Sequence, residues 1–333
     1  MAKDRWAPYT FSNGKVTKNR VVVPPMASQT ADRSGKVTES TLGHYKKLSA
    51  SGAGLIFVEY SYIDISGKGE PNQLAVDADN KIVGLSQLAK VIQKSGALAA
   101  LQMVHCGGKS NTELTGGALW GASAIPVPVK NLNLEVPEVL SLEKVQKLIS
   151  MYIDAAGRAV RAGFDVVEFH AAHGYGLNQW LSPITNHRTD SYGGGIEGRS
   201  KILLQIVESI RSHWPNILIA VRLPAQDHFP EGLSLEDMNW VSEQLQKKGV
   251  DLLDVSSGLG GWRRQRDKVG QGYLVEDAEQ LKQNINLPVI GVGGIEHGNF
   301  IDQIVMEGKV DFAAVGRAIL SNPHQWGQQN LHT

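Results

Sequence analysis

At 333 residues, 42% of them hydrophobic and 20% charged, the chain has ample material for a large core and suits two average domains or one α/β barrel. Its 33 Lys and Arg balance 33 Asp and Glu, so no net field points to nucleic acid or an anionic membrane. The lone Cys106 excludes an internal disulfide, a zinc finger and a cysteine-ligated iron–sulfur cluster, and the absence of an apolar leader or bilayer-length run leads us to expect a cytoplasmic protein.

Tyr9 to Lys18 reads as a hairpin turned by Asn13-Gly14. Val21 to Val23 is a strand stopped by Pro24-Pro25, and Thr41 to Ser51 suits a helix. A second apolar strand, Gly54 to Tyr60, leads to a helix over about Ile82 to Lys94. Ala97 to Val104 is the third strand, with Gln102 and His105 near its end. The long loop from Gly107 to Pro137 carries a Pro- and Gly-rich run, Gly121 to Asn131, suited to a lid or a hairpin. Leu142 to Ala162 follows the helical period, with Val145, Leu148, Ile149, Tyr152 and Ala156 on one face. Asp165 to Phe169 is too short for a helix and rich in Val, so it reads as a buried parallel strand.

Glu197 to His213 is amphipathic, and Ile217 to Leu223 is a fifth strand bearing Arg222. Ser234 and Asp237 form an N-cap pair for a helix running to about Lys248. Strand six, Leu252 to Val255, ends in Ser256-Ser257-Gly258 and precedes a loop and a helix near Val275 to Gln283. Strand seven, Pro288 to Val292, ends in Gly293-Gly294 and leads to a helix over Gly298 to Met306. Strand eight, Phe312 to Val315, ends in Gly316-Arg317, with a last helix from Ala318. Eight strand–helix steps without a linker predict one closed (β/α)8 TIM barrel spanning residues 1 to 333, rather than an open doubly wound sheet. It carries an N-terminal hairpin and a long loop between the third strand and third helix.

In such a barrel the loops after the strands form the active face. His170, His173 and Tyr175 lie just past the fourth strand, a compact set of donors able to hold an oxyanion and deliver a proton near neutral pH. The i, i+3 spacing of the two histidines falls on a turn, which does not match a zincin helix. Gly293, Gly294, Gly316 and Arg317 occupy the places where barrels hold phosphate; glycines alone would equally make tight turns, but Arg317 adds a forked cation. Arg222 needs an anionic or accepting partner, either a ligand or a salt bridge with Glu59 or Asp227. Gln102 suits a heterocycle edge but alone says almost nothing. Cys106 reads as an inert small apolar residue. Arg263, Arg264 and Arg266 make either a substrate-facing loop or a solvated run.

These motifs together resemble a known family. HAAHGYGLNQWLSPITNHRTDSYGG is similar to the signature of the old yellow enzyme family of flavin-dependent ene-reductases, as are PYTFSNGKVTKNRVVVPPM, LQMVHCGGK, GVGGI and AVGRAI, over about residues 8 to 323. The resemblance implies noncovalent FMN, NADPH or NADH as reductant, and an enone or similar electron-poor alkene as substrate. It implies that His170 and His173 hold the carbonyl oxygen and Tyr175 protonates the α-carbon. Gln102 and Arg222 then match contacts to the flavin's polar edge, Gly293, Gly294, Gly316 and Arg317 the phosphate site, and Pro24, Pro25, Met26 and Ala27 the loop beside the isoalloxazine. Tyr60 replaces a smaller residue near the flavin, Ala27 a Cys or Thr, and Gln29 a substrate-side tyrosine. Gly195 and Gly198 predict a looser turn than the family's. Relatives that share an arginine across a dimer have a longer tail, which leaves homo-oligomerisation open. The appended iron–sulfur and second nucleotide domains of larger relatives are not expected with one cysteine at this length. The alternatives are an NAD(P)H:flavin or quinone-type oxidoreductase and a phosphate-binding barrel enzyme without ene-reductase activity. A lysine at a strand end would favour an aldolase, and none is present there. A non-catalytic flavin-binding protein is the other rival, though it would have no need of Tyr175.

Overall fold

Short, β-branched runs bounded by Gly and Pro become strands here because they are buried on both faces. A computed structural model describes residues 4–129, 133–261 and 269–331. Its central strands are Val21–Val23 (β1), Leu55–Tyr62 (β2), Leu98–Val104 (β3), Val166–His170 (β4), Leu218–Pro224 (β5), Leu252–Ser256 (β6), Val289–Gly291 (β7) and Phe312–Ala314 (β8). All neighbouring pairs are parallel and the ring closes β8 onto β1, so chain order runs unbroken around a TIM barrel. Around it lie Glu39–Ser49 (α1), Ile82–Gln93 (α2), Leu142–Ala162 (α3), Ile196–His213 (α4), Leu235–Lys247 (α5), Val275–Lys282 (α6), Gly298–Met306 (α7) and Pro323–Leu331 (α8). Among the described residues no helix is long and apolar enough to cross a membrane.

The helix termini show why these elements begin and end where they do. The Ser141 side chain accepts from Lys144 N–H to start α3, and Gly163, at φ 88°, ends it in the left-handed conformation that glycine tolerates best. Ser234 and Asp237 form a reciprocal capping box on α5, as expected. Apolar faces of the helices pack on the outside of the strands, while Leu55, Phe57, Ala100, Val166, Ala220 and Ile290 fill the lumen. Each Leu, Phe, Val or Ile among them contributes roughly 1.5–3 kcal/mol of burial, and each Ala less. The hairpin Tyr9–Thr10 with Val16–Thr17 turns as predicted and covers the amino end, where Phe11 stacks on Phe312 at 6.2 Å.

Along β3 to β6 the alternation of side chains brings Gln102, Glu168, His170, Arg222, Asp254 and Ser256 inward at the carboxyl ends, above the apolar layers. β2 departs from simple alternation. Its ladder to β3 pairs Val58 with Leu101 and then Ser61 with Met103, so one extra residue is accommodated across Glu59 and Tyr60. Tyr60 therefore lies within a bulged strand that continues to Tyr62, not at a strand end.

Two loops differ from expectation. Trp120–Gly121 pairs with Glu138–Val139 in parallel register, which is not a hairpin; Lys130 and Asn131 lie outside the described residues. The turn before α4 is tight rather than loose, because a Cβ on Gly198 would meet the Gly193 carbonyl oxygen at 2.0 Å. Glycine there allows two backbone segments to touch.

Candidate active site

His170 is the last residue of β4, and the chain then turns sharply through His173, which adopts φ 58°. A non-glycine residue in that region is strained unless its surroundings fix it. Here His173 N–H donates to the Ser257 carbonyl at 3.0 Å, and Gly174 N–H to Asn178 Oδ1 at 2.8 Å. Tyr175 precedes the short helix Gly176–Leu181, its N–H bonded to the Ala172 carbonyl at 3.1 Å. The turn brings the three rings together. His170 lies 4.9 Å from His173 and 4.9 Å from Tyr175, edge to face in both cases.

The hydrogen bonds assign the proton positions. His170 Nδ1 accepts from Ala172 N–H at 3.3 Å, so in the neutral ring Nε2 carries the proton. Arg222 Nη2 donates to Ser256 Oγ at 3.5 Å, and Ser256 lies 2.6 Å from His173 Nε2. With Ser256 donating to Nε2, the neutral His173 ring carries its proton on Nδ1. Burial, then the Arg222 cation, holds both histidines well below the usual imidazole range, so both are neutral donors. Burial pushes the Tyr175 phenol up, keeping it protonated.

Lys109 was not anticipated. Its Nζ lies 4.6 Å over the Tyr175 ring and donates to the His173 carbonyl. Gln179 ties the loop after β3 to this turn, accepting from Gly108 N–H at 2.9 Å and donating to the Gly174 carbonyl at 2.7 Å. Cys106 is buried with its thiol pushed up to about 12 by desolvation, which agrees with an inert packing role.

Across the lumen, Gln102 Nε2 donates to Glu168 Oε2 at 2.7 Å. Arg222 Nε pairs with Asp254 at 3.1 Å. The expected partners Glu59 and Asp227 are engaged elsewhere. Glu59 accepts from Ser28 N–H at 2.9 Å and so anchors the loop after β1, while Asp227 accepts from Ser182 Oγ, Leu233 N–H and Leu259 N–H. Burial raises Glu168 well above the usual carboxylate range, with the Asp254 charge adding to it. The sequence reading placed Ser256 at the end of strand six without a role and missed Glu168 and Asp254. Their signal was a polar residue two positions from another in an otherwise apolar strand: Glu168 with His170, Asp254 with Ser256.

The remaining predicted residues line the same face. Pro24 is buried, Pro25 and Met26 are half-buried and Ala27 is exposed, directly after β1. A Cβ on Gly316 would sit 3.4 Å from Met26 Sδ and Pro24 Cγ, so the loops after β8 and β1 touch. Gly293 and Gly294 follow β7 at φ 126° and 64°, and a Cβ on Gly294 would approach Arg317 Nη2 at 3.4 Å. Tyr60 lies 5.4 Å from Tyr175 between ring centres. Arg263, Arg264 and Arg266 lie outside the described residues.

The residues present fit a phosphorylated, flat heterocycle. Buried Glu168 Oε1 has no hydrogen-bond partner among the described residues at the mouth of the barrel, and a glycine cradle with an exposed arginine lies alongside.

Residues 6–329 match the model of a family described as the NADH:flavin oxidoreductase / NADH oxidase family. The chain is 34% identical to an NADH oxidase of Thermoanaerobacter brockii over 97% of its own length, and spans about half, 52%, of that longer protein. It is also 34% identical to an NADPH dehydrogenase of Geobacillus sp. (strain WCH70), covering 96% of this chain and 91% of the relative. Among solved structures, the old yellow enzyme homologue from Zymomonas mobilis superposes with a TM-score of 0.82 at 22% identity, over 98% of this chain and 92% of that one.

Proposed function

This chain belongs to the NADH:flavin oxidoreductase / NADH oxidase family, and from that premise we propose that it uses noncovalent FMN to reduce the activated C=C bond of α,β-unsaturated carbonyl compounds. NADPH or NADH is the reductant. The observation that carries this reading is the meeting of two neutral imidazole donors and a protonated phenol at one barrel mouth.

Bound FMN would supply hydride transfer between the nicotinamide and the alkene's β-carbon. The protein's part is binding, charge stabilisation and proton delivery. His170 Nε2–H and His173 Nδ1–H hold the substrate carbonyl oxygen, where negative charge grows as the enolate forms. Tyr175 supplies the α-carbon proton. Gln102 and Arg222 hold the flavin's polar edge. Gly293, Gly294, Gly316 and Arg317 hold its phosphate, Pro24, Pro25, Met26 and Ala27 border its ring system, and Tyr60 narrows the pocket beside it. Residues 1–333 act as one FMN-binding unit.

The test is an anaerobic titration of the yellow protein with a simple phenol. A phenolate held by His170 and His173 against oxidised flavin is expected to add a long-wavelength charge-transfer band, lost in His173→Ala. A colourless protein with no affinity for added FMN would end the reading, and a yellow one without the band would remove the histidine pair from it.

A further inference from the structure

His173 holds φ 58°, a conformation that a residue with a side chain keeps only where its surroundings fix it. Two contacts fix it, and both come from one place. His173 N–H donates to the Ser257 carbonyl at 3.0 Å, and its Nε2 lies 2.6 Å from Ser256 Oγ. The chain leaving β6 therefore carries the ring. It presses on the turn again at Gly174, where a Cβ would meet the Leu259 carbonyl oxygen at 3.0 Å. The aim of His173 is only as firm as that loop.

A buried carboxylate holds the loop. Asp227, 3% exposed and just beyond the end of β5, accepts Leu259 N–H at 2.9 Å through Oδ1. The same oxygen lies so close to Gly258 that a Cβ there would sit 2.1 Å from it. The other oxygen, Oδ2, accepts from Ser182 Oγ at 2.8 Å and from Leu233 N–H at 3.0 Å. Ser182 follows the short helix Gly176–Leu181, whose Asn178 takes the Gly174 N–H at 2.8 Å. One side chain thus grips both walls of the turn: Oδ1 the loop behind His173, Oδ2 the end of the helix after Tyr175. All three partners are donors, so a carboxylate satisfies them, whereas an amide would set an NH2 group against at least one.

We propose that Asp227 is the positioning residue of the oxyanion site: by joining the loops after β4, β5 and β6, it aims His173 at the substrate oxygen. This rests on the enone reading above. A donor stabilises growing charge fully only when it is already in place, and that placement comes from the residues behind it. His170 has a separate support, since it belongs to β4 itself and is bonded within its own turn to Ala172 N–H. Loss of the Asp227 grip should therefore weaken one of the two oxygen contacts and spare the other.

The test uses the FMN-loaded protein and 4-chlorophenol, followed by its charge-transfer band. In Asp227→Asn the phenol should bind about tenfold more weakly while FMN affinity stays within about twofold. At saturating phenol, the pH of half-maximal band should rise by about one unit, because the lost contact favours phenolate over phenol by the same tenfold. A merely structural role would lower the melting temperature or the amount of folded protein and leave that pH where it is. Ser182→Ala releases one grip on Oδ2 and should weaken the phenol about threefold, with a smaller shift of the same sign. It decides the matter if Asp227→Asn does not fold. An unmoved half-maximal pH, or phenol and FMN weakened alike, would overturn the positioning role. A wild-type protein without the band overturns the histidine pair and this proposal together, whereas a wild-type band that both variants leave unchanged overturns this proposal alone.

Discussion

His170 and His173 hold no proton to spare. Burial and the nearby Arg222 keep both rings neutral, so in the proposed reaction each can donate a hydrogen bond to oxygen without competing with Tyr175 as the acid. The division of labour follows from environment rather than residue type. Replacing Tyr175 by Phe should leave flavin reduction by NADPH unchanged and slow alkene reduction by about 10²–10⁴-fold. Stopped-flow measurement of the two half-reactions checks this, and equal loss in both would contradict the role. His170, His173 and Tyr175 were legible because six consecutive positions carry all three. Asp254 and Glu168 were not, because their meaning depends on which strands stand next to one another.

At the scale of elements, the glycine turns after β7 and β8 are shaped by close approach. Gly293 has φ 126°, and a Cβ there would sit 2.8 Å from Leu274 N and 2.9 Å from Tyr273 N. Gly293→Ala should therefore displace the loop before α6 and weaken FMN binding at least about tenfold, corresponding to roughly 1.4 kcal/mol. Fluorescence quenching of FMN on titration with the protein measures it, and unchanged affinity would exclude this turn from the phosphate site. The eight strands and most of the helices could be read from apolar runs and caps, as at Ser234 and Asp237. The bulge at Glu59–Tyr60 could not, since GLIFVEYSY is apolar enough to hide one extra residue. Nor could the tightness of the turn at Gly198, which depends on the distant meeting of two backbone segments.

For the molecule as a whole, buried histidines set its acid sensitivity. His105 is 2% exposed, stacked on Trp120 at 5.3 Å, accepting from Gly107 N–H at Nδ1 and facing Ser66 Oγ at Nε2. Desolvation lowers it from 6.5 to about 4. The unfolded chain therefore binds this proton first as pH falls. The group's contribution is complete above about 6.5 and is lost progressively down to about 4. The loss amounts to about 3 kcal/mol. Buried Glu168 and Asp254, raised by desolvation, act with the opposite sign, so the comparison must isolate His105. Urea unfolding at neutral pH and at about pH 4 should show wild type losing more stability than His105→Asn, and parallel losses would refute the assignment.

Among the described residues, the aromatic stopper formed by Tyr9, Phe11 and Phe312 fills the amino end of the barrel and leaves the carboxyl end as its mouth. In the proposed reaction, donor and acceptor would then share the carboxyl-end mouth, and an excess of either one is expected to inhibit turnover of the other in steady-state kinetics.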